Sequence, residues 1–166
     1  QVGIDNYLTR PDRSADLITA AQAAHWFDLD AFYAEVRRVL VPGGALALVT
    51  YGVIEADGEA GRILRHFYRA VIGPYWPPER RHVETGYRSL PFPFAEVSPP
   101  ALAMTRDWSL PELLGYVGTW SAVRNAESSL GREPLDRFGR ELRAAWGEPE
   151  RRREIRWPLS LRIGHV

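Results

Sequence analysis

Hydrophobic and polar residues near the start of the chain follow two patterns in succession. Residues 17–21 form a continuous apolar run, which predicts a strand that is covered on both faces. Residues 29–40 place apolar side chains at the spacing of one helical face, with Asp28 or Asp30 as the N-cap. Pro42-Gly43-Gly44 would end that helix, because proline cannot continue its hydrogen-bond ladder.

A second continuous apolar run at residues 45–51 follows this turn, so the order of elements is strand, helix, turn and strand. A unit of this length pairs its two strands in parallel and connects them by a right-handed crossover. The sequence therefore predicts an α/β fold that contains a parallel βαβ unit.

The middle of the chain has a different character. Residues 59–72 predict a helix, which the Gly-Pro-Tyr-Trp-Pro-Pro segment at 73–78 would end. Residues 73–104 are rich in proline and aromatic side chains, so we expect an inserted lid with little regular structure rather than a flexible linker. Ser109 and Glu112 have the spacing of a capping box and predict the start of another helix.

Two further elements follow. Residues 134–146 predict a helix, and residues 155–163 alternate strictly between apolar and polar side chains, which predicts a strand. Pro158 places that strand near a sheet edge or leaves it locally unpaired, because proline donates no ladder hydrogen bond. We assign a single domain with a βαβ core portion at 1–54, a lid or insertion at 55–108, and C-terminal helices with the last strand at 109–166.

Composition narrows the classes of function. The 21 basic residues are all arginine and balance 21 acidic residues, so no basic field attracts nucleic acid or anionic membrane. The chain has no cysteine, which excludes disulfides and a cysteine nucleophile, and His66, His82 and His165 lack the spacing of metal ligands. No apolar run approaches the roughly 20 residues of a membrane span. We therefore expect a cytoplasmic protein with no metal site and no membrane or nucleic-acid partner.

The end of the first strand carries the candidate chemistry. Ligands of open α/β sheets bind beyond the carboxyl ends of the strands, where this chain has Ala-Ala-Gln-Ala-Ala-His-Trp at residues 20–26. Small residues would let a flat ligand approach the backbone, Trp26 could stack on it, and Gln22 or His25 could hydrogen-bond it. The alternative is that Trp26 and Phe27 staple the following helix and that His25 is a satisfied turn residue.

The same segment resembles a known family. Residues 12–28, the Arg-Val-Leu-Val-Pro-Gly-Gly stretch at 38–44, residues 108–116 and the closing strand at 157–164 are similar to class I S-adenosylmethionine-dependent methyltransferases, in particular the trans-aconitate methyltransferase-like subgroup. The resemblance implies a partial Rossmann-like sheet, from the fourth strand onward, with a helical and aromatic lid insertion. The family's Gly-x-Gly-x-Gly cofactor loop does not occur, and Gln1 is not methionine, so we expect residues upstream of it.

Methyl transfer from S-adenosylmethionine to an oxygen of a small acceptor is the activity that this resemblance implies. A carboxylate oxygen would need no general base, whereas a hydroxyl could use His25 as a catalytic base. The aromatic insertion, including Tyr87, Phe92 and Phe94, would cover the acceptor. The residues that the resemblance assigns to the cofactor are Asp5, Asn6, Ala20, Gln22, Ala23, His25 and Trp26, and those assigned to the acceptor, with arginines for its carboxylate, are Tyr75, Trp76, Arg80 and Arg88.

Two other interpretations remain open. The chain could be a non-catalytic remnant that binds a partner through the exposed edge of its first strand, as a homodimer. It could also be another α/β enzyme, such as a hydrolase with His25 as base, although no nucleophile motif supports this. If it is a methyltransferase that lacks its glycine-rich loop, we expect the chain alone to bind S-adenosylmethionine poorly or not at all.

Overall fold

The computed structural model describes residues 10–166. No helix among these residues has both the length and the apolar character needed to cross a membrane. Turns of 3₁₀-helix cover Ala24–Trp26 and Gly73–Tyr75, and a π-helical turn covers Phe67–Val71. The strands are β1 (Ala15–Ala21), β2 (Leu40–Tyr51), β3 (Glu55–Ala56), β4 (Ala95–Val97), β5 (Leu102–Trp108) and β6 (Arg153–His165). The helices are α1 (Leu29–Val39), α2 (Gly58–His66), α3 (Arg80–Glu84), α4 (Leu110–Gly118), α5 (Ser121–Leu130) and α6 (Glu133–Trp146).

The chain divides into two compact units, each assembled from separate stretches of sequence. The first unit takes residues up to Gly52, Arg81–Ala103 and Pro158–Val166. The second takes Val53–Arg80 and Met104–Trp157. The three portions assigned from the sequence alone stay a prediction beside this division.

In the first unit, β1 and β2 pair in parallel, with α1 as the connection between them. The register places Leu17 beside Ala45 and Ala21 beside Val49. The C-terminal part of β6 pairs antiparallel with β2 and also with β4. The predicted α/β fold with a parallel βαβ unit is confirmed.

Strand β1 is covered on one face only, which corrects the prediction of a strand buried on both faces. Ile18 and Ala20 pack into the core with residues of α1 and β2, whereas Leu17 is 57% exposed. Among residues 10–166, β1 pairs with β2 alone and so lies at the edge of the described sheet. The continuous apolar run was misleading because apolar and small residues also occupy the exposed face.

Helix α1 begins as predicted but ends earlier than the sequence indicates. Asp28 is its N-cap and accepts a hydrogen bond from the backbone of Ala31 at 3.2 Å. The helix ends at Val39, before the Pro-Gly-Gly turn, because Leu40 is already extended and pairs with Ala15 of β1. Pairing with β1 and burial of the Leu40 side chain therefore end this helix before proline is reached.

The second unit is built mainly from helices. A short antiparallel pair joins β3 to the N-terminal part of β6. The rings of Phe67 and Phe138 stack at 4.0 Å between centroids, and Trp146 is fully buried. Helices α2, α4 and α6 occur where the sequence predicts them, with a π-helical turn extending α2. Helix α5 was not predicted, because its buried face consists of Ala122, Val123 and Ala126 and gives a weak hydrophobic pattern.

Strand β6 is not an edge strand, although Pro158 suggested one. Its C-terminal half lies between β2 and β4. The second alternative, a local break in pairing, describes Pro158 correctly: its neighbour Leu159 pairs with β2, Ile155 pairs with β3, and Pro158 itself has no strand partner in these registers. Its carbonyl instead accepts a hydrogen bond from the backbone of Gly52 at 2.7 Å.

The proline-rich segment contains more regular structure than expected. It holds the 3₁₀ turn at Gly73–Tyr75, helix α3 and strand β4. In the first unit, the rings of Phe92 and Phe94 meet that of Tyr33 edge-on at 6.3 and 5.4 Å. These two phenylalanines are therefore partly used in packing against the core that holds α1.

Candidate functional site

The chain leaves β1 in a turn that is tied to the end of β2. Gln22 has a left-handed backbone with a φ of +51°, which is uncommon for a residue with a Cβ. Its backbone N–H donates to the carbonyl of Val49 at 2.9 Å, and its side-chain oxygen accepts a hydrogen bond from the buried hydroxyl of Thr50. No described residue accepts from the side-chain NH₂ of Gln22, which leaves these donors for a ligand.

His25 and Trp26 lie together on the 3₁₀ turn that follows Gln22. Ala23 precedes the turn and Ala24 is fully buried, so the turn is anchored by its small residues. The His25 and Trp26 rings lie 4.8 Å apart, and Trp26 is 63% exposed. An exposed indole next to an imidazole offers a flat ligand a surface for stacking.

Phe27 alone accounts for the packing that the alternative interpretation expected. Its ring lies 4.9 Å from that of Phe32 in α1. Trp26, by contrast, is largely exposed and does not staple the helix. Among the cofactor residues predicted from the sequence, Ala20, Gln22, Ala23, His25 and Trp26 lie on one turn, while Asp5 and Asn6 lie outside the described residues.

Tyr87 is a further member of this site. The sequence placed it among the aromatic residues of the lid, but nothing in the sequence indicated its contact with His25. The Tyr87 hydroxyl lies 2.9 Å from Nδ1 of His25, and the two ring centroids are 5.8 Å apart. Because Tyr87 is fully buried, this hydrogen bond is shielded from water.

The backbone around Tyr87 is held in an uncommon conformation. Gly86 and Tyr87 have φ values of +62° and +63°. A Cβ at position 86 would lie 2.5 Å from Oγ of Ser160, so only glycine fits there. Left-handed backbone at a residue with a large side chain costs on the order of 1–3 kcal/mol and persists where the surrounding contacts fix it.

Arg162 of β6 supplies those contacts. Its Nη1 donates to the carbonyls of Tyr87 and Leu90 at 2.9 and 2.7 Å. Its other nitrogens form a bidentate pair with the carboxylate of Glu96 at 3.0 and 2.9 Å. Hydrogen bonds from Arg162 lower the pKa of the Glu96 carboxyl, against the opposing effect of desolvation. One guanidinium thus ties three points of the segment that carries Tyr87.

The second unit holds three of the four predicted acceptor residues. Trp76 lies between the rings of Tyr68 and Trp120, at 5.1 and 5.7 Å between centroids. The guanidinium of Arg80 lies 4.7 Å above the Trp76 ring, and its Nε donates to the Tyr68 hydroxyl at 2.8 Å. The Tyr75 carbonyl accepts from the Asn125 side chain at 3.1 Å. The sequence did not indicate Tyr68 or Trp120 as part of this cluster.

Two sets of donors in this cluster have no acceptor among the described residues. The indole Nε1 of Trp76 is buried and makes no hydrogen bond there. Nη1 and Nη2 of Arg80 donate to no described residue, since its one such bond is made by Nε. A buried donor without a partner is costly, on the order of 1–3 kcal/mol. The pair therefore presents N–H groups suited to an anionic or carbonyl oxygen.

The fourth predicted acceptor residue, Arg88, is exposed and belongs to the first unit. No group of three or more His, Asp or Glu residues that could hold a metal ion occurs within residues 10–166.

A groove of about 540 Å³ on the second unit contains none of the predicted residues. It lies between α4 and α6, and exposed arginines form part of its wall. Arg140 pairs with Glu133 at 2.9 Å, and Arg132 lies 3.5 Å from Glu127. These charges form a surface network, and the groove carries no set of converging donors comparable to Trp76 and Arg80.

Comparison with known proteins gives consistent matches. Residues 4–48 match the family described as methyltransferase domain. A candidate methyltransferase from Dictyostelium discoideum is 32% identical over 67% of this chain, and an uncharacterized methyltransferase from Mycobacterium tuberculosis is 31% identical over 82%. The structure of a candidate type II methyltransferase from Anaeromyxobacter dehalogenans is 48% identical over 93% of this chain, with a TM-score of 0.88.

The matched proteins are longer than this chain. It covers 43% of the Dictyostelium protein, 52% of the mycobacterial protein and 66% of the Anaeromyxobacter chain. The chain thus spans about half the length of the curated relatives that it matches. The mixed α/β architecture agrees with the Rossmann-like fold of the solved relative.

Proposed function

Because the comparisons support a class I S-adenosylmethionine-dependent methyltransferase, we propose that the complete protein transfers the cofactor's methyl group to a carboxylate oxygen of a small acceptor. The trans-aconitate methyltransferase-like subgroup is part of this proposal. The cofactor supplies a methyl group already activated on a sulfonium. The residues of the chain then need only bind and align the two reactants and keep water out.

The turn after β1 suits the cofactor in this proposal. It follows the carboxyl end of a parallel strand, which is where ligands of open α/β sheets bind. The exposed Trp26 ring offers a stacking surface for a flat base, and the side-chain NH₂ of Gln22 offers donors. Small residues at 20 and 23 allow close approach of a ligand to the backbone. In this proposal these residues hold and orient S-adenosylmethionine.

The observation that carries the choice of a carboxylate acceptor is the pair formed by Arg80 and Trp76. Their donors have no partner among the described residues and lie close together, with the guanidinium 4.7 Å from the indole ring. Two terminal nitrogens of an arginine match the two oxygens of a carboxylate. The contact with Tyr68 fixes Nε and so holds the plane of the guanidinium. Since a carboxylate is ionised at neutral pH, such an acceptor requires no general base.

The test is methyl transfer by the complete protein, supplied with S-adenosylmethionine and a panel of small mono-, di- and tricarboxylates. We expect S-adenosylhomocysteine and a methyl ester in equal amounts. Arg80→Gln should raise the acceptor KM ten- to a hundredfold, the loss expected for a hydrogen bond to a charged group, and leave the cofactor KM unchanged. Arg69→Gln, at an exposed arginine near Tyr68, is the matched control. Absence of any ester, or equal acceptor KM values for the two variants, would contradict the proposal.

A second candidate function is favoured by the edge of β1. Among the described residues β1 pairs only with β2, and Leu17 is 57% exposed beside that edge. Unpaired strand edges are templates for association with another chain. A non-catalytic binding module would use this edge to form a homodimer with a second copy of the chain. Sedimentation tests it: a dimer that Leu17→Lys dissociates supports this function, and a stable monomer at all concentrations opposes it.

A further inference from the structure

The hydrogen bond between Tyr87 and His25 limits how the histidine can act. It engages Nδ1 of the imidazole ring at 2.9 Å. A phenol O–H is a stronger donor than a neutral imidazole N–H, and an imidazole nitrogen is a stronger acceptor than a phenol oxygen. The favoured arrangement therefore has Tyr87 donating to Nδ1, which puts the ring proton on Nε2.

We propose that Tyr87 is a positioning residue that keeps His25 as a hydrogen-bond donor, through Nε2, to a carboxylate oxygen of the cofactor or of the acceptor. The inference rests on the proposed function for the identity of the ligand, but its structural part does not. A histidine in this state donates a proton and cannot serve as a base through Nε2. It therefore suits a carboxylate acceptor, whereas a hydroxyl acceptor would need the opposite tautomer.

The conformation of Tyr87 supports a role beyond packing. Its left-handed backbone is an uncommon and costly state for a tyrosine, and Arg162 and Gly86 hold it there. The buried side chain reaches His25 from a segment 62 residues later in the sequence. Backbone strain of this kind concentrates where a side chain must be aimed at a site. Gln22, on the turn that also carries His25, has a left-handed backbone too.

Tyr33 offers a matched control for Tyr87. Both tyrosines are buried in the first unit, and both hydroxyls make one hydrogen bond across the segment 87–96 or to it. The Tyr33 hydroxyl donates to the carbonyl of Pro91 at 2.7 Å, and burial raises its pKa. Tyr33→Phe thus removes a buried hydroxyl from the same core without removing the hydrogen bond between Tyr87 and His25.

The first experiment tests the hydrogen bond itself, by NMR of the chain labelled with ¹⁵N in histidine. His25 is assigned by the signals lost in His25→Gln. We expect an unprotonated Nδ1 that accepts a slowly exchanging hydroxyl proton, and a protonated Nε2. Tyr87→Phe should abolish the Nδ1 contact, and Tyr33→Phe should retain it. A proton on Nδ1 in the wild type, or an unchanged His25 spectrum in Tyr87→Phe, would overturn the inference.

The second experiment tests whether Tyr87 acts through His25, by a double-mutant cycle on methyl transfer by the complete protein. Tyr87→Phe should lower kcat/KM about tenfold alone and less than about twofold in the His25→Gln background, because coupled residues are not additive. A rise in KM for S-adenosylmethionine identifies the cofactor carboxylate as the ligand, and a rise in the acceptor KM identifies the acceptor. Equal losses in both backgrounds would overturn the positioning role. Absence of methyl transfer in the wild type would instead contradict the proposed function and leave the NMR result standing.

Discussion

Removing the guanidinium of Arg162 should destabilise the segment that carries Tyr87. The substitution Arg162→Met keeps most of the length and the apolar stem that lies against Phe92, where the guanidinium carbon is 4.6 Å from the ring centroid. It removes the two hydrogen bonds to the carbonyls of Tyr87 and Leu90 and the bidentate pair with Glu96. The change therefore isolates the polar contribution of this arginine.

The expected loss follows from the burial of these contacts. The Arg162 side chain is 12% exposed, so each carbonyl contact contributes on the order of 1–1.5 kcal/mol. Glu96 is 43% exposed, and solvent screening limits its ion pair to at most about 1 kcal/mol. We expect Arg162→Met to lower the free energy of unfolding by about 3 kcal/mol at pH 7. Urea unfolding followed by circular dichroism measures this change.

Arg156→Met, at an exposed arginine on the same strand, is the control and should change stability by less than about 0.5 kcal/mol. The effect of Arg162→Met should also depend on pH. Because Arg162 lowers the pKa of Glu96 in the folded state, the stability from their pair is present above the unfolded pKa of about 4.3 and is lost as pH falls below it. Equal losses for the two variants, or a larger Arg162 effect at pH 3 than at pH 7, would refute this reasoning.

Three other predictions test separate parts of the structure. Gly61→Ala should lower the free energy of unfolding by about 3 kcal/mol, since the new Cβ would lie 1.7 Å from the Ala56 carbonyl oxygen, whereas Gly115→Ala, at an open helical position, should raise it by about 0.5–1 kcal/mol; urea unfolding in which both variants shift the same way would oppose this. Glu112→Ala should lower the Tm, because Glu112 accepts a 2.7 Å hydrogen bond from the backbone of Ser109 and this bond lowers the carboxyl's pKa. That stabilisation should be present above the unfolded pKa of about 4.3 and disappear in acid, so a Tm difference that grows toward pH 3 would contradict it. Leu17→Lys should leave the Tm unchanged, because Leu17 is exposed, and a loss of several degrees in thermal melts would show that the residue is packed.

The sequence predicted the elements that local signals determine. Asp28 caps α1, and Ser109 with Glu112 forms the capping box of α4, as the residue spacing indicated. These signals act within one helical turn, so the rest of the fold does not alter them. The apolar runs likewise gave β1 and β2 and their parallel pairing.

Features set by distant contacts could not be predicted in the same way. Helix α1 ends at Val39 because Leu40 pairs with Ala15, a contact that the local sequence does not encode. Pro158 suggested an edge strand, but β6 has neighbours on both sides along its C-terminal half. In both cases tertiary pairing overrode a local preference.

The candidate site divides along the same line. Gln22, His25 and Trp26 are neighbours in sequence, so the sequence could place them on one turn. Tyr87 reaches His25 from 62 residues away, and Arg162 reaches Tyr87 from a further 75. No spacing rule connects these residues, and only the pairing of β6 with β2 and β4 brings Arg162 to the segment.

The most direct test of the cofactor site is the affinity of the complete protein for S-adenosylhomocysteine, measured by calorimetry before and after Trp26→Ala. Because Trp26 is largely exposed, this substitution should leave the free energy of unfolding unchanged. Stacking of a base on an aromatic ring contributes about 1–3 kcal/mol, so we expect the affinity to fall about tenfold. Leu130→Ala, at an exposed position in the second unit, should leave the affinity unchanged. Wild-type affinity in Trp26→Ala, or no binding by the unaltered protein, would contradict the placement of the cofactor at this turn.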